Sequence, residues 1–166
     1  PQSWQRTLDV CLTAPAFLSR EVAKHFESRG RGVIVNIGSI MAQQAAGFAP
    51  AYVACKGAIE SLTYDLAALY GPRGVRVVAI SPGAIDTPLS REIEASLSPT
   101  ADELHGFAES MTMIGRFGRA DEVAAAIAWI ASDEASYLTG VTLTIDGGWS
   151  RHHLPTPLAA RLRHSD

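Results

Sequence analysis

Cysteine is scarce in this chain. Cys11 and Cys55 are the two among 166 residues, with no C-x-x-C pair and no even-spaced framework. That excludes a disulfide-stapled scaffold and a cysteine-rich zinc site, and it suits a reducing compartment. Charge of one sign is also in short supply. Fourteen Lys and Arg against seventeen Asp and Glu give a formal net charge of −3 with no basic stripe, which argues against nucleic acid as the main partner. Long apolar runs are missing as well. The uncharged stretch from Gly32 to Cys55 is broken by Asn36, Gly38, Ser39, Gln43, Gln44, Gly47 and Pro50, whereas a spanning helix needs roughly 20 predominantly apolar residues. The chain opens on Pro1 without a basic-then-apolar signal segment. The expectation is a soluble, cytoplasmic protein with no membrane partner; that it is part of a longer protein stays open.

What is present is a globular composition. Apolar residues make up 47% and charged residues 19%, and at about 150 residues per domain there is room for one. From Trp4 to Arg29, Leu8, Leu12, Phe17, Leu18, Val22 and Phe26 recur at helical spacing. Pro15 inside that pattern predicts a kink or break. Val33 to Ile37 is a short, nearly all-apolar run, read as a parallel strand covered on both faces. Tyr52 to Tyr70 carries Ile59, Leu62, Leu66 and Leu69 on one helical side and ends at Gly71-Pro72. Val75 to Ile80 repeats the buried-strand pattern. Pro88 to Phe117 is less regular, with helical patches around Ile93 and Leu104. Asp121 is a candidate N-cap for a helix through Ala131 whose stripe puts Trp129 in the core, and Val141 to Ile145 is a last strand. Residues 151–166 form a tail without clear period. Helix and strand alternate, which is the mark of an α/β fold with a parallel sheet. Such sheets bind ligands beyond the carboxyl ends of their strands. Three strands are few for such a sheet, so either it is minimal or strands are missing on its N-terminal side.

Those carboxyl ends carry the chemistry. Tyr52 and Lys56 are four apart and share a helix face. A cation about 4 Å from a phenol at an effective dielectric of about 20 is worth roughly 4 kcal/mol, or about three pKa units at most. That would bring a tyrosine with an ordinary pKa near ~10 toward neutral pH, where it serves as general acid or base. Read blandly, the pair is an aromatic helix start beside a solvated lysine. Ser39 closes the first strand thirteen residues before Tyr52; by itself it reads as a turn or cap residue. His152, His153 and His164 lack supporting carboxylates, so no metal is expected.

Taken together, Gly38-Ser39, Tyr52 to Gly57, Ser81-Pro82-Gly83-Ala84-Ile85-Asp86-Thr87 and Asp146-Gly147-Gly148 resemble the short-chain dehydrogenase/reductase superfamily from about Trp4 to Trp149. The resemblance implies a Rossmann-like doubly wound parallel sheet whose N-terminal strands are missing from this chain. Residues 1–150 would be the C-terminal part of one such domain, and residues 151–166 a loosely held tail. It implies hydride transfer between NAD or NADP and a small alcohol or carbonyl. Tyr52 is then the acid/base, Ser39 holds the substrate oxygen, and Lys56 lowers the tyrosine pKa and binds the nicotinamide ribose. Pro82, Gly83, Ile85 and Thr87 would lie against the nicotinamide end. A homodimer or homotetramer through the helices around Leu18 and Leu62 is also implied.

Two departures qualify the resemblance. The family's T-G-x-x-x-G-x-G turn, which cradles the pyrophosphate, does not occur in these 166 residues. Cys11 stands where the family usually has an asparagine that links a proton relay to the lysine, and a thiol hydrogen-bonds only weakly. The competing reading is therefore a catalytically inactive fragment or an oligomerisation partner.

Overall fold

The N-terminal helical pattern is continuous rather than broken. In the computed structural model, which describes residues 2–44, 47–97, 106 and 109–153, α1 (Gln2–Leu8) runs through a π-helical turn, Asp9–Thr13, into α2 (Ala14–Glu27). Pro15 stands in the first turn of α2, where its missing N–H costs least. Just ahead of it, Ala14 donates to the Asp9 carbonyl, five residues back. Widening the turn lets the helix absorb the proline instead of ending at it. The patch expected around Leu104 and the tail beyond His153 lie outside the described residues.

Among the described residues the strands are β1 (Gly32–Ile37), β2 (Val75–Pro82), β3 (Ile85–Asp86), β4 (Gly118–Arg119) and β5 (Val141–Ile145). Helices after α2 include α3 (Pro50–Tyr70), α4 (Pro88–Leu97), which answers the pattern around Ile93, and α5 (Ala120–Ala131). Pro1–Ser81 with Ala125–Thr144 forms one compact unit, and Pro82–Ala124 with Ile145–Asp166 forms a second.

In the first unit the sheet order is β1-β2-β5. β1 and β2 are parallel, in register from Gly32 opposite Val75 to Ile37 opposite Ile80. β2 is the central strand, and Val77, Val78, Ala79 and Ile80 are fully buried, as its unbroken apolar run predicts. β1 differs from expectation. Ile34 and Asn36 are buried, but Val33 and Val35 are half-buried and Ile37 is 45% exposed, because among the described residues β1 is an edge strand.

Ala23 of α2 and Leu66, Ala67 and Tyr70 of α3 pack with Ile34, Val75 and Val77 into the core, flanked by Val22, Phe26 and Leu62. Leu69 and Trp129, placed inward by their helical stripes, are 48% and 44% exposed. Arg76 ties the C-terminal end of α5 to the sheet, donating to the Ile130, Ser132 and Leu138 carbonyls at 2.8, 2.9 and 3.2 Å. The Ile130 carbonyl lies in the last turn of α5, where it has no partner within the helix, so a cation there satisfies it.

In the second unit β3 and β4 form a two-residue parallel pair. Asp121 stands in the first turn of α5 rather than capping it. Glu122 reaches back to the Arg119 N–H at 2.8 Å, half of a capping box, and takes a bidentate bond from Arg116 at 2.7 and 2.9 Å. The Arg116 guanidinium first, and the Arg119 N–H second, hold the Glu122 carboxyl down at about 2 from an ordinary 4.5. Because the folded pKa lies below the unfolded one, this group adds stability above pH 4.5 and loses it as pH falls toward 2. Arg116→Leu is expected to flatten that acid limb in unfolding temperatures measured between those pH values. The difference shrinks at high salt, because the pair is exposed.

Candidate active site

Ser39 follows β1 directly. Its backbone is extended, and its hydroxyl caps the short 3-10 turn Ile40–Ala42 by accepting from the Met41 N–H at 3.2 Å. The capping role is therefore real, and it does not exhaust the residue. Ser39 is 8% exposed, and the interaction of its hydroxyl with the Tyr52 phenol offsets part of the rise that burial imposes on the phenol's pKa. Gly38, just before it, cannot carry a side chain: a Cβ would stand 2.6 Å from Ser81 Oγ.

α3 supplies Tyr52 and Lys56 from its first two turns. Lys56 Nζ lies 5.4 Å from the Tyr52 ring centroid and donates to the Ile37 carbonyl, the last of β1, at 2.7 Å. The helix start is thus tied to the strand end that Ser39 follows. Both groups are half-buried, and burial dominates both titrations. It pushes the Tyr52 phenol above its usual 10, against the Ser39 hydrogen bond, and it lowers the Lys56 ammonium below 10.5. Sequence spacing alone predicts the opposite for Tyr52. The ammonium sits against the ring face with one proton committed to Ile37, and desolvation of the phenolate sets the direction of the shift.

Cys11 lies in the π turn, and such turns recur at functional sites. It is within electrostatic reach of Tyr52, Cys55 and Lys56. Cys11 and Lys56 line one open groove of about 800 Å³ running along β1. Ser39, Tyr52, Lys56 and Cys11 are all in the first unit. Cys55, one residue before Lys56, is fully buried, its thiol 3.7 Å from the Thr7 carbonyl.

Pro82, Gly83, Ile85 and Thr87 belong to the second unit. Gly83 donates to the Ile145 carbonyl at 2.9 Å, and a Cβ there would stand 2.6 Å from that of Asp146. Only glycine permits that approach. Ile85 pairs with Gly118 in the β3–β4 ladder. Thr87 opens α4 with a reciprocal pair: its N–H donates to Ser90 Oγ at 2.9 Å, and its Oγ1 accepts from Ser90 N–H at 3.1 Å. Asp146 holds the following turn by accepting from the Gly148 and Ser150 N–H groups. His152 Nδ1 lies 3.0 Å from the Met111 carbonyl.

Sequence reading missed a cluster behind Ser39. Glu60, buried on α3, accepts from Ser81 Oγ at 2.7 Å and from Gln43 Nε2 at 3.2 Å. Its one signal was a carboxylate four residues past Lys56 on the same helix face.

A family model described as enoyl-(acyl carrier protein) reductase matches residues 1–150. The short-chain reductase NovJ of Streptomyces niveus is 39% identical over 147 residues, 89% of this chain and 56% of its own length. The 3beta-hydroxysteroid dehydrogenase 1 of Eggerthella lenta is 40% identical over 148 residues, 89% of this chain and 55% of its own. A solved 4-hydroxyisoleucine dehydrogenase complexed with NADH superposes with a TM-score of 0.82 at 36% identity, over 90% of this chain and 60% of that one. The chain thus spans somewhat more than half the length of the relatives it matches. No helix among the described residues is long and apolar enough to cross a membrane. With a parallel β1-β2-β5 sheet, a Ser-Tyr-Lys corner at its edge and a family match over residues 1–150, the chain belongs to the short-chain dehydrogenase/reductase family and carries its Rossmann-like α/β fold.

Proposed function

We propose that residues 1–150 are the C-terminal part of a single Rossmann-like oxidoreductase domain that moves hydride between NAD or NADP and a small alcohol or carbonyl. One observation carries this: the Tyr52 phenol is half-buried against the Ser39 hydroxyl, with the Lys56 ammonium 5.4 Å from the ring centroid. Burial keeps the phenol protonated at neutral pH, so Tyr52 is ready to donate its proton to a carbonyl oxygen that gains negative charge. Ser39 holds that oxygen by hydrogen bond. Cys11, at the family's asparagine position, borders the same groups and is the weak link of a relay toward Lys56.

Lys56 has donors that suit the nicotinamide half of the cofactor. Lys56 commits one proton to Ile37 and keeps two for ribose hydroxyls. Pro82, Gly83, Ile85 and Thr87 are assigned to the nicotinamide end. When bound, the cofactor supplies or accepts the hydride. Phe17 and Leu18, 54% and 65% exposed on α2, support a homodimer or homotetramer through α2 and α3. The free thiols of Cys11 and Cys55 suit a cytoplasmic location.

The second reading, an inactive fragment or oligomerisation partner, is favoured by the missing glycine-rich turn. Extending the chain at its N terminus with the nucleotide-binding half of a family member separates the two. Turnover of secondary alcohols with NAD or NADP is the expected result. A folded extended chain that binds cofactor yet turns over no alcohol or carbonyl supports the inactive reading.

A further inference from the structure

Glu60 takes no part in the proton or hydride steps, yet it is 7% exposed. Burying a carboxylate is costly where leucine would fill the same helix position, so its partners bear on why it is there. It lies one turn past Lys56 and two past Tyr52 on α3. Oε1 accepts from Ser81 Oγ and Oε2 from Gln43 Nε2. A carboxylate only accepts, so it orients both donors.

Both partners bracket Ser39. Gln43 follows the 3-10 turn that Ser39 caps. On the other side, Gly38 N–H donates to the Ile80 carbonyl at 2.6 Å, and Gly38 packs without a Cβ against Ser81 Oγ. The segment that carries Ser39 is therefore pinned before and after that residue, and both pins lead to one carboxylate on the helix that carries Tyr52. We propose that Glu60 is a positioning residue that sets the Ser39 hydroxyl against the Tyr52 phenol. The inference rests on the Ser39–Tyr52 reading above.

The test follows Tyr52 in the 166-residue chain by the 13C shift of its Cζ against pH, which needs neither cofactor nor turnover. Ser39→Ala is expected to raise the Tyr52 pKa by about one pH unit through loss of a hydrogen bond to the phenolate. Glu60→Ala is expected to raise it by a similar amount, and the double variant by no more than Ser39→Ala alone. Glu60→Gln keeps an acceptor for Ser81 and lets Gln43 turn its amide, so it should restore the parent titration. Gln43→Ala cuts one pin from an exposed position and should move the titration part of the way. A purely structural Glu60 would lower the unfolding temperature without shifting Tyr52. If Ser39→Ala shifts Tyr52 and Glu60→Ala does not, the positioning role is overturned while the Ser39–Tyr52 pair stands. Should Glu60→Ala fail to fold, an unshifted Gln43→Ala overturns the role in its place. If Ser39→Ala itself leaves Tyr52 unmoved, the pair is wrong and the role of Glu60 falls with it.

Discussion

Tyr52→Phe in the N-terminally extended chain is expected to lower turnover by about 10²–10⁴-fold, the usual worth of a positioned acid or base. Cofactor affinity should stay within a few-fold, because the ring still packs and Lys56 keeps its bond to Ile37. The pH dependence is the sharper readout. Burial pushes the Tyr52 phenol above 10, so the protonated form persists through neutral pH. Carbonyl reduction, which uses that proton, should be flat there and fall only at alkaline pH. Alcohol oxidation, which uses the phenolate, should climb with pH over the same range. Steady-state rates in both directions against pH check this, and the Phe variant should lose both limbs. Near-full activity in Tyr52→Phe would show that another group moves the proton.

What sequence could and could not disclose follows from where each effect originates. β2 was legible because a central strand covered on both faces must be apolar throughout, and Val75–Pro82 is nearly so. β1 has the same composition, yet Ile37 is 45% exposed. Which strand lies at an edge is a property of the sheet, not of the strand. The helix through Pro15 was misread for a related reason: proline forbids one hydrogen bond, but whether the backbone breaks or widens is settled by the turn around it.

The site shows the same division. The positions of Ser39 after β1 and of Tyr52 and Lys56 in the first turns of α3 are chain properties, legible from the strand and helix patterns. The direction of the Tyr52 shift is not a chain property. Point-charge reasoning from a four-residue interval lowers the phenol pKa, while desolvation, which exists only in the folded protein, raises it. Glu60 was invisible because a glutamate on a helix reads as solvated until a neighbouring loop and strand cover it. Trp129 erred the other way, its apolar stripe placing inward a ring that is 44% exposed.

The remaining large effect concerns cofactor affinity. The 166-residue chain is expected to bind NADH and NADPH at least about 100-fold more weakly than the extended chain. Lys56 and the Pro82–Thr87 segment address the nicotinamide end only. The pyrophosphate in Rossmann-type domains is gripped by backbone N–H groups of a glycine-rich turn at a helix N-terminus, and no such turn occurs in these 166 residues. Gly115 to Gly118 does not substitute, because it leads into the two-residue strand β4 rather than following a buried strand. Hydrogen bonds to a charged acceptor are worth about 1.5–3 kcal/mol each, so losing two costs roughly 10²–10⁴-fold in affinity. Titration of both chains while following cofactor fluorescence measures the ratio directly. A dissociation constant for the short chain close to that of the extended one would mean that these residues hold the phosphates by donors of their own. The assignment of Lys56 to the ribose would then have to be redrawn around those donors.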